Sequence, residues 1–348
     1  MAERSAIFFC PYDDKQMKYR LFILLFLSFS VVVVAEPLFN MEKCLTQALV
    51  TANDEITVGE LKLLCSETIA NEPTTMNQPS YHLSAIKQRQ LYEKHGTWNA
   101  FSLLPHKPNY IMLGYNTSEP NHEPYKQEFS DQRADLQHLE TKFQISMKLP
   151  VVQGVFNGYG DLYAGYTNRS FWQQFNKTNS SPFRDTNHEA EAWLSFDTDY
   201  DLAGLHNSVI RTGFTHQSNG QSGSLSRSWN RVYTDFILER GDVYLSFKPW
   251  FRIPESSSND DNPDIEDFLG NFELRGLYKK QQHSFDFMFR NNLKTGSNRG
   301  AIELGWSFPI HKKVRGYVQW FNGYGESMLD YDNHTNSIGF GIQLSDWL

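Results

Sequence analysis

Long apolar segments are nearly absent from this sequence, and with them the usual signature of a helical membrane protein. The longest apolar stretch, residues 21–34, is shorter than the roughly 20 residues that a membrane-spanning helix needs, and no other stretch approaches that length. Basic stretches are absent too, and a formal net charge of −8 argues against nucleic acid as a partner. Aromatic residues, in contrast, make up 15% of the chain. That abundance is typical of a transmembrane β-barrel, whose aromatic residues form girdles at both membrane interfaces, and also of a tyrosine-rich soluble β-sandwich.

The single apolar run, 21–34, has the pattern of a secretory signal. Two basic residues precede it and small residues ending at Ala35 follow it, which predicts cleavage before Glu36. We expect the native start at Met17. A membrane anchor is the alternative, but the run is shorter than a spanning helix requires. We therefore expect 1–35 to be removed on export, and an exported chain without spanning helices can cross a membrane only as a closed barrel.

Cysteine is scarce, with three residues in the chain. Cleavage of the signal would remove Cys10 and leave Cys44 and Cys65. An even number of cysteines in an oxidising compartment favours a Cys44–Cys65 disulfide over two buried thiols. Residues 36–107 show helical spacing in places and few strand-like runs, so we expect a small disulfide-stapled N-terminal extension followed by a loose linker.

Residues 108–348 consist of short alternating segments separated by polar turns, the pattern of an all-β domain. Short connections alternate with long ones such as 118–135 and 254–270. Outer-membrane barrels show the same alternation, with short turns on the periplasmic side and longer loops outside. A count of twelve segments is even, as in bacterial single-chain barrels, so we predict a twelve-stranded antiparallel transmembrane β-barrel. The expected strands are 109–117, 136–149, 159–171, 187–200, 207–218, 229–239, 242–253, 271–280, 283–293, 300–309, 313–323 and 335–346.

Alternation along the strands also predicts which side chains face lipid. In the last strand, the apolar residues at positions 338, 340, 342 and 344 alternate with small or polar ones. A half-buried strand of a soluble β-sandwich would show the same two-residue period. Asp199, Asp235 and Glu239 are expected inside the barrel, paired with Arg211 and Arg231. The tryptophans expected in the interfacial girdles are Trp172, Trp193, Trp229, Trp250, Trp306 and Trp320.

A polar group interrupts the apolar face of one predicted hairpin. His216 and Ser218 share a strand face, and Asn230 lies on the matching face of the next strand, opposite to its charged residues. A hairpin symmetric about Gly223 would bring Asn230 directly opposite His216, within hydrogen-bonding reach. The three residues would then form a nucleophile, a base and an orienting amide on the lipid face. On spacing alone, polar residues tolerated at headgroup level are the simpler interpretation.

Longer blocks of sequence decide between these interpretations, because together they resemble outer-membrane phospholipase A over most of 108–348. The resemblance implies a barrel that hydrolyses the acyl esters of phospholipids and lysophospholipids in the bacterial outer membrane, activated by calcium and dimerisation. It further implies that His216 is the base, Ser218 the nucleophile and Asn230 the orienting residue. The blocks are SSPFRDTN at 180–187, HQSNGQSGSLSRSWNR at 216–231, KPWF at 248–251, DDNPDI at 260–265 and GYGESMLDY at 323–331.

The resemblance also implies a calcium site. The backbone carbonyl of Gln221 and the side chain of Ser226 would bind the ion near the serine, and Asp261 is a further calcium position. Ser180 would contribute from a second subunit. Many members have aspartate at the position of Gly223, which puts the calcium affinity of the single chain in question, and the N-terminal extension is a second departure.

Two other classes of function are compatible with a barrel. A passive porin or small-solute channel would need an open lumen, whereas charged and aromatic residues would fill so narrow a barrel. An adhesive barrel would use the extension to bind a partner. Conductance measurements would test the first alternative, and deletion of the extension followed by a lipase assay would test the second.

Overall fold

The computed structural model describes residues 84–96, 103–128, 135–311 and 314–346. The predicted signal peptide, its cleavage site and all three cysteines lie outside these residues, so both the cleavage and the Cys44–Cys65 disulfide stay predictions. Within the described ranges, no helix is long and apolar enough to cross a membrane.

Twelve antiparallel strands in the described part of the chain form a closed barrel, as predicted. Each strand pairs with its successor, and the last pairs with the first, which closes the sheet. An additional two-residue strand, β1 (Leu104–Pro105), pairs with the second barrel strand. The barrel strands are β2 (Asn109–Asn116), β3 (Leu139–Val152), β4 (Asp161–Trp172), β5 (Phe183–Leu202), β6 (Leu205–Ser218), β7 (Ser228–Arg240), β8 (Val243–Ile253), β9 (Phe272–Lys280), β10 (His283–Asn291), β11 (Gly300–His311), β12 (Val314–Tyr324) and β13 (His334–Ser345).

The connections at the two ends of the barrel differ in length. At one end, three of them are two-residue turns, 203–204, 241–242 and 281–282. At the other end the connections are longer, and they include the helices α2 (Glu123–Glu128) and α3 (Glu266–Leu269). In outer-membrane barrels the short turns lie on the periplasmic side and the long loops outside the cell. The predicted site residues lie at the long-loop end.

The outer face of the sheet is apolar. On β13, Ile338, Phe340, Ile342 and Leu344 are all exposed on the outside, as the alternation predicted. Trp306 and Trp320 are also exposed, as expected for girdle residues. A surface of this kind is stable against lipid hydrocarbon and not against water.

The lumen holds charged residues, and several of them form ion pairs. The guanidinium of Arg184, for example, lies between Glu140 and Asp330. Asp235 and Glu239 are buried as predicted, but the expected pairing with Arg211 and Arg231 was wrong, since their carboxylates accept hydrogen bonds from Ser246 and Ser84. Asp199 was wrongly predicted to lie inside, since its side chain is 94% exposed beside His206 at the short-turn end. Charges in the lumen need ion pairs or hydrogen bonds because removing them from water is otherwise costly.

Three of the tryptophans also lie in the lumen. The prediction that they belong to the interfacial girdles was wrong. Trp193, Trp229 and Trp250 are almost completely buried and belong to one cluster of packed apolar residues. Each occupies an inward position in the strand alternation; Trp229, for example, shares its face with Arg231.

Helix α1 (Ala85–Gly96) fills the short-turn end of the lumen, where the sequence had suggested a loose linker. Ser84 begins the helix, because its Oγ accepts a hydrogen bond from the backbone N–H of Lys87 at 3.1 Å. Ile86 packs among inward apolar residues of the barrel wall, including Val209 and Ile237.

Polar contacts reinforce the position of α1. The Oε2 atom of Glu93 lies 2.8 Å from Nζ of Lys148 on β3, and Gln90 donates to Asp197 on β5 at 2.8 Å. Burial raises the pKa of Glu93, but the charges of Lys148 and Arg89 outweigh this effect and hold the pKa below its usual value. Glu93 is therefore an ionised partner for Lys148 inside the lumen. The domain boundary expected at 107/108 stays a prediction.

Candidate active site

The hairpin β6–β7 carries the predicted catalytic residues at its open end. The strand register places His216 directly opposite Asn230, and Ser218 opposite Ser228. The cross-strand position of His216 and Asn230 is therefore as predicted. All four side chains lie on the outward face, because their immediate neighbours Thr215 and Trp229 are buried on the inward face.

A hydrogen bond joins the histidine and the asparagine. Nδ1 of His216 lies 2.9 Å from Oδ1 of Asn230, and Nδ2 of Asn230 donates to Oε1 of Glu255 at 3.1 Å. A carboxylate can only accept, so Glu255 orients the amide with its oxygen toward His216. Nδ1 of His216 must then carry the proton, which leaves Nε2 as the acceptor that a general base needs. Glu255, in the loop after β8, was not identified from the sequence.

Ser218 is the last residue of β6 and shares the outward face with His216. No hydrogen bond joins the two side chains in the described part of the chain. Residues two apart on a strand are separated by about 6.5–7 Å at their Cα atoms, so rotation of the two side chains can bring them together. Catalytic hydrogen bonds that are long in the free enzyme often tighten when substrate binds.

The loop 219–227 is shaped by an asparagine that sequence reasoning missed. Asn219 is buried, donates from Nδ2 to the carbonyl of Leu225 at 2.8 Å, and accepts from the backbone N–H of Arg227 at 3.0 Å. Gly223, at the loop tip, has φ of 62°, the left-handed region that glycine adopts without strain. Asn219 thereby closes the loop that carries Gln221 and Ser226.

The predicted calcium positions are brought together only in part. Oγ of Ser226 donates to Oδ2 of Asp261 at 2.6 Å, which joins two loops that are distant in sequence. Gln221 is exposed in the same loop as Ser226. Ser180 lies in the loop between β4 and β5, and no hydrogen bond within the described ranges links its side chain to the other three. Within the described residues, no group of three or more histidine, cysteine or acidic side chains could hold a metal ion.

These donors nevertheless fit calcium in kind. A carbonyl, a hydroxyl and a carboxylate are hard oxygen ligands, which calcium prefers, and it needs about six to eight of them. The hydrogen bond between Ser226 and Asp261 shows that two of the donors lie within a distance that one ion could bridge. These three residues alone supply fewer ligands than that, so water molecules or a second chain would complete the shell.

The inward face of the same hairpin is held by a buried network. Gln217, between His216 and Ser218, accepts hydrogen bonds through Oε1 from Nε1 of Trp229 at 2.9 Å and from Arg231 at 3.1 Å. The guanidinium of Arg231 also stacks on the Trp229 ring at 4.0 Å and pairs with Glu189. This network holds β6 and β7 in register directly behind the histidine–asparagine pair.

Comparisons with known proteins show which family the chain is similar to. The sequence model of the family described as Phospholipase A1 matches residues 86–344, a range that begins within α1. Phospholipase A1 of Klebsiella pneumoniae is 35% identical over 294 residues, which cover 84% of this chain and 99% of the relative. Phospholipase A1 of Escherichia coli K12 is 38% identical over 248 residues, 71% of this chain and 83% of the relative.

Solved structures give the same result. Outer membrane phospholipase A from Escherichia coli superposes with a TM-score of 0.68 at 35% identity, covering 74% of this chain and 96% of that chain. An active-site variant of the same protein, in which an asparagine is replaced by alanine, also has a TM-score of 0.68 at 35% identity, over 73% and 96% of the two chains. The Salmonella typhi outer membrane phospholipase dimer with bound calcium has a TM-score of 0.67 at 35% identity, over 72% and 95%. The matched range, the identities and the common barrel together show that the chain belongs to the phospholipase A1 family.

Proposed function

We propose that this protein is a calcium-dependent phospholipase of the bacterial outer membrane. It hydrolyses the acyl ester bonds of phospholipids and lysophospholipids at either ester position, and it reaches the membrane by way of a cleaved signal peptide. The observation that carries the proposal is the hydrogen bond between His216 and Asn230 on the lipid-facing wall, two residues from Ser218. Family membership supports the ester hydrolase activity, and the apolar outer face of the barrel supports the location.

The mechanism is acyl transfer through Ser218. Nε2 of His216 takes the proton from Oγ of Ser218, and Oγ attacks the ester carbonyl carbon of a lipid presented at the barrel wall. The protonated imidazole, held by Oδ1 of Asn230, then gives the proton to the departing alcohol oxygen. A water molecule, deprotonated by the same nitrogen, hydrolyses the acyl-enzyme and releases a fatty acid. Throughout, Asn230 keeps His216 in the productive tautomer.

Calcium binding would involve Gln221 through its carbonyl, Ser226 through its hydroxyl and Asp261 through its carboxylate. When bound, the ion supplies positive charge that stabilises the oxyanion of the tetrahedral intermediate. Ser180 is proposed to act from a second copy of the chain, since among the described residues no hydrogen bond links its side chain to the other donors. The calcium-bound dimer of the Salmonella typhi relative supports this assignment.

Dimerisation would also protect the membrane. An active serine on the lipid face would be in permanent contact with intact bilayer, so a site completed only by Ser180 of the partner subunit would restrict hydrolysis to the dimer. Calcium should then tighten the dimer, and dimerisation should tighten calcium binding, because coupling between binding equilibria is reciprocal.

A channel function is opposed by the contents of the lumen. Buried tryptophans, paired charges and helix α1 occupy the barrel interior. The deciding experiment is an assay of phospholipid hydrolysis in detergent micelles with calcium or with a chelator, alongside conductance measurements in planar bilayers. We expect fatty acid release only with calcium, and no conductance. Conductance without hydrolysis would contradict the proposed function.

A further inference from the structure

A second histidine lies beside the nucleophile, on the strand that flanks β6 on its other side. The β5–β6 register places His188 directly opposite Ser218. Directly opposed residues of antiparallel strands point to the same face, with Cβ atoms about 4.5–5.5 Å apart. Ser218 therefore has one imidazole two residues along its own strand, at His216, and another across from it at His188.

The hydrogen bonds of His188 determine its tautomer. Nδ1 lies 2.6 Å from the hydroxyl of Tyr166 and 3.4 Å from Nδ2 of Asn168. The amide nitrogen can only donate, and Oγ of Ser170 donates to Oδ1 of Asn168 at 3.0 Å, which orients the amide. Nδ1 of His188 is therefore an acceptor, and Nε2 carries the hydrogen. Among the described residues, this Nε2–H has no hydrogen-bond acceptor.

The ring of His188 leans toward the loop end of the barrel, beyond Ser218. A Cβ atom added to Gly220 would lie 3.6 Å from both Cδ2 and Nε2 of His188. Gly220 is two residues past Ser218 on the loop side, whereas His216 is two residues before it. The base thus lies toward the membrane centre, and the unpartnered N–H of His188 lies toward the membrane surface.

We propose that His188 binds the substrate phosphate, its Nε2–H donating a hydrogen bond to a phosphodiester oxygen of the lipid whose ester lies at Ser218. A phospholipid directs its acyl chains toward the membrane centre and its phosphate toward the surface, which is the side where this N–H is placed. A neutral imidazole can supply the bond without a positive charge on the lipid-facing wall, where charge is costly. His188 would then favour phospholipids over uncharged esters. The inference rests on the proposed function.

The test compares two substrates that share an acyl chain. The wild type, His188→Phe and His188→Gln are assayed with a lysophosphatidylcholine and with the corresponding monoacylglycerol, which lacks the phosphate, in the same detergent with calcium. The measured ratio is kcat/KM for the lysophosphatidylcholine divided by kcat/KM for the monoacylglycerol. We expect His188→Phe to lower this ratio about tenfold, mainly by raising KM for the lysophosphatidylcholine, because one hydrogen bond to a charged acceptor is lost. His188→Gln keeps an N–H and should recover part of the ratio.

Two matched variants complete the design. His138→Phe alters another histidine stacked on a tyrosine, Tyr115, and should leave the ratio as in the wild type. Tyr166→Phe removes the hydroxyl beside Nδ1 and should lower the ratio by about threefold, since it only loosens the tautomer. Folding of each variant is checked by heat-modifiable gel mobility, and reaction of Ser218 with an uncharged sulfonyl fluoride checks the nucleophile.

The outcomes separate the inference from the proposed function. An equal loss on both substrates would mean that His188 acts on the reacting ester or on the fold. No loss on either substrate would mean that it contacts no phosphate. Either result overturns the inference. If the wild type hydrolysed neither substrate, or Ser218→Ala hydrolysed both, the proposed function and the inference would fail together.

Discussion

The two faces of the hairpin β6–β7 hold their polar side chains very differently. On the inner face, Arg231 is stacked on Trp229, pairs with Glu189 and donates to Gln217. On the outer face, within the described residues, His216 has Asn230 as its hydrogen-bond partner and the side chain of Ser218 has none. Arg231 on the inner face thus has three side-chain partners, whereas the outer face keeps unused hydrogen-bonding capacity.

The inner face therefore holds the hairpin rigid, and the outer face carries the residues for the chemistry. The buried network fixes the backbone of the hairpin, so the outward side chains are positioned from behind and need few contacts of their own. Polar groups with unused capacity are costly against lipid, so their presence at this position indicates a functional site. Outer-face substitutions should therefore change activity with little change in stability, and inner-face substitutions should change stability with little change in activity.

The largest effect is expected at the nucleophile. Ser218→Ala should lower phospholipid hydrolysis by about a thousandfold or more, because no other group in the mechanism can form the acyl-enzyme. Heat-modifiable gel mobility should show a folded barrel. Ser228→Ala, the serine directly across the hairpin, is the matched control and should stay within about threefold of the wild type. Substantial activity in folded Ser218→Ala would rule out the triad.

An inner-face substitution should show the opposite signature. Arg231→Met removes a buried cation that pairs with Glu189 and donates to Gln217, and it should lower the free energy of unfolding by about 3 kcal/mol. Urea unfolding in lipid vesicles measures this, with Arg240→Met, an exposed arginine of the same strand, as the control. Activity per folded molecule should fall much less. A variant as stable as the wild type would break the proposed division between the two faces.

Asn230→Ala should be milder than loss of the nucleophile. The base remains, but its tautomer is no longer held, so kcat should fall about 30-fold, or about 2 kcal/mol in the barrier, with little change in KM. Asn230→Asp keeps an acceptor for Nδ1 of His216 and should recover part of the activity. If Asn230→Ala were as inactive as Ser218→Ala, misfolding of the hairpin would be the better explanation.

A smaller effect is expected at the proposed calcium position outside the hairpin. Ser180→Ala should raise the calcium concentration for half-maximal activity about tenfold, since one oxygen ligand is lost while water can replace it. Sedimentation in detergent should show a weaker dimer at intermediate calcium. Thr178→Ala, in the same exposed loop, is the control. An active protein that stays monomeric with calcium would contradict the role of the second subunit.

The smallest effect is expected at Glu255. Glu255→Gln keeps the shape of the side chain but adds an amide N–H that can donate to Oδ1 of Asn230. The Asn230 amide is then held less firmly with its oxygen toward His216. We expect a loss of about threefold in kcat, since a single part-exposed hydrogen bond contributes about 1 kcal/mol or less. A loss as large as that of Asn230→Ala would show that Glu255 takes part in the chemistry directly.

Sequence reasoning placed the strands of the hairpin within two residues of their observed ends. The strands expected at 207–218 and 229–239 are Leu205–Ser218 and Ser228–Arg240. This prediction succeeded because the alternation of apolar and polar residues is a local property of the chain. The girdle prediction failed for Trp193, Trp229 and Trp250, because it used their aromatic character and ignored their inward position in the strands. Helix α1 was missed because its stability comes from the lumen that surrounds it.

The sequence by itself determined the twelve-stranded barrel and the meeting of His216 with Asn230, because both follow from a two-residue period and a symmetric hairpin. Only the tertiary structure decided which residues join the site from elsewhere. Glu255 reaches Asn230 from the loop after β8, and His188 reaches Ser218 from β5. Neither position has a local signal, since the contacts depend on the register of three strand pairs and on the shape of a loop. Long-range packing supplies that information.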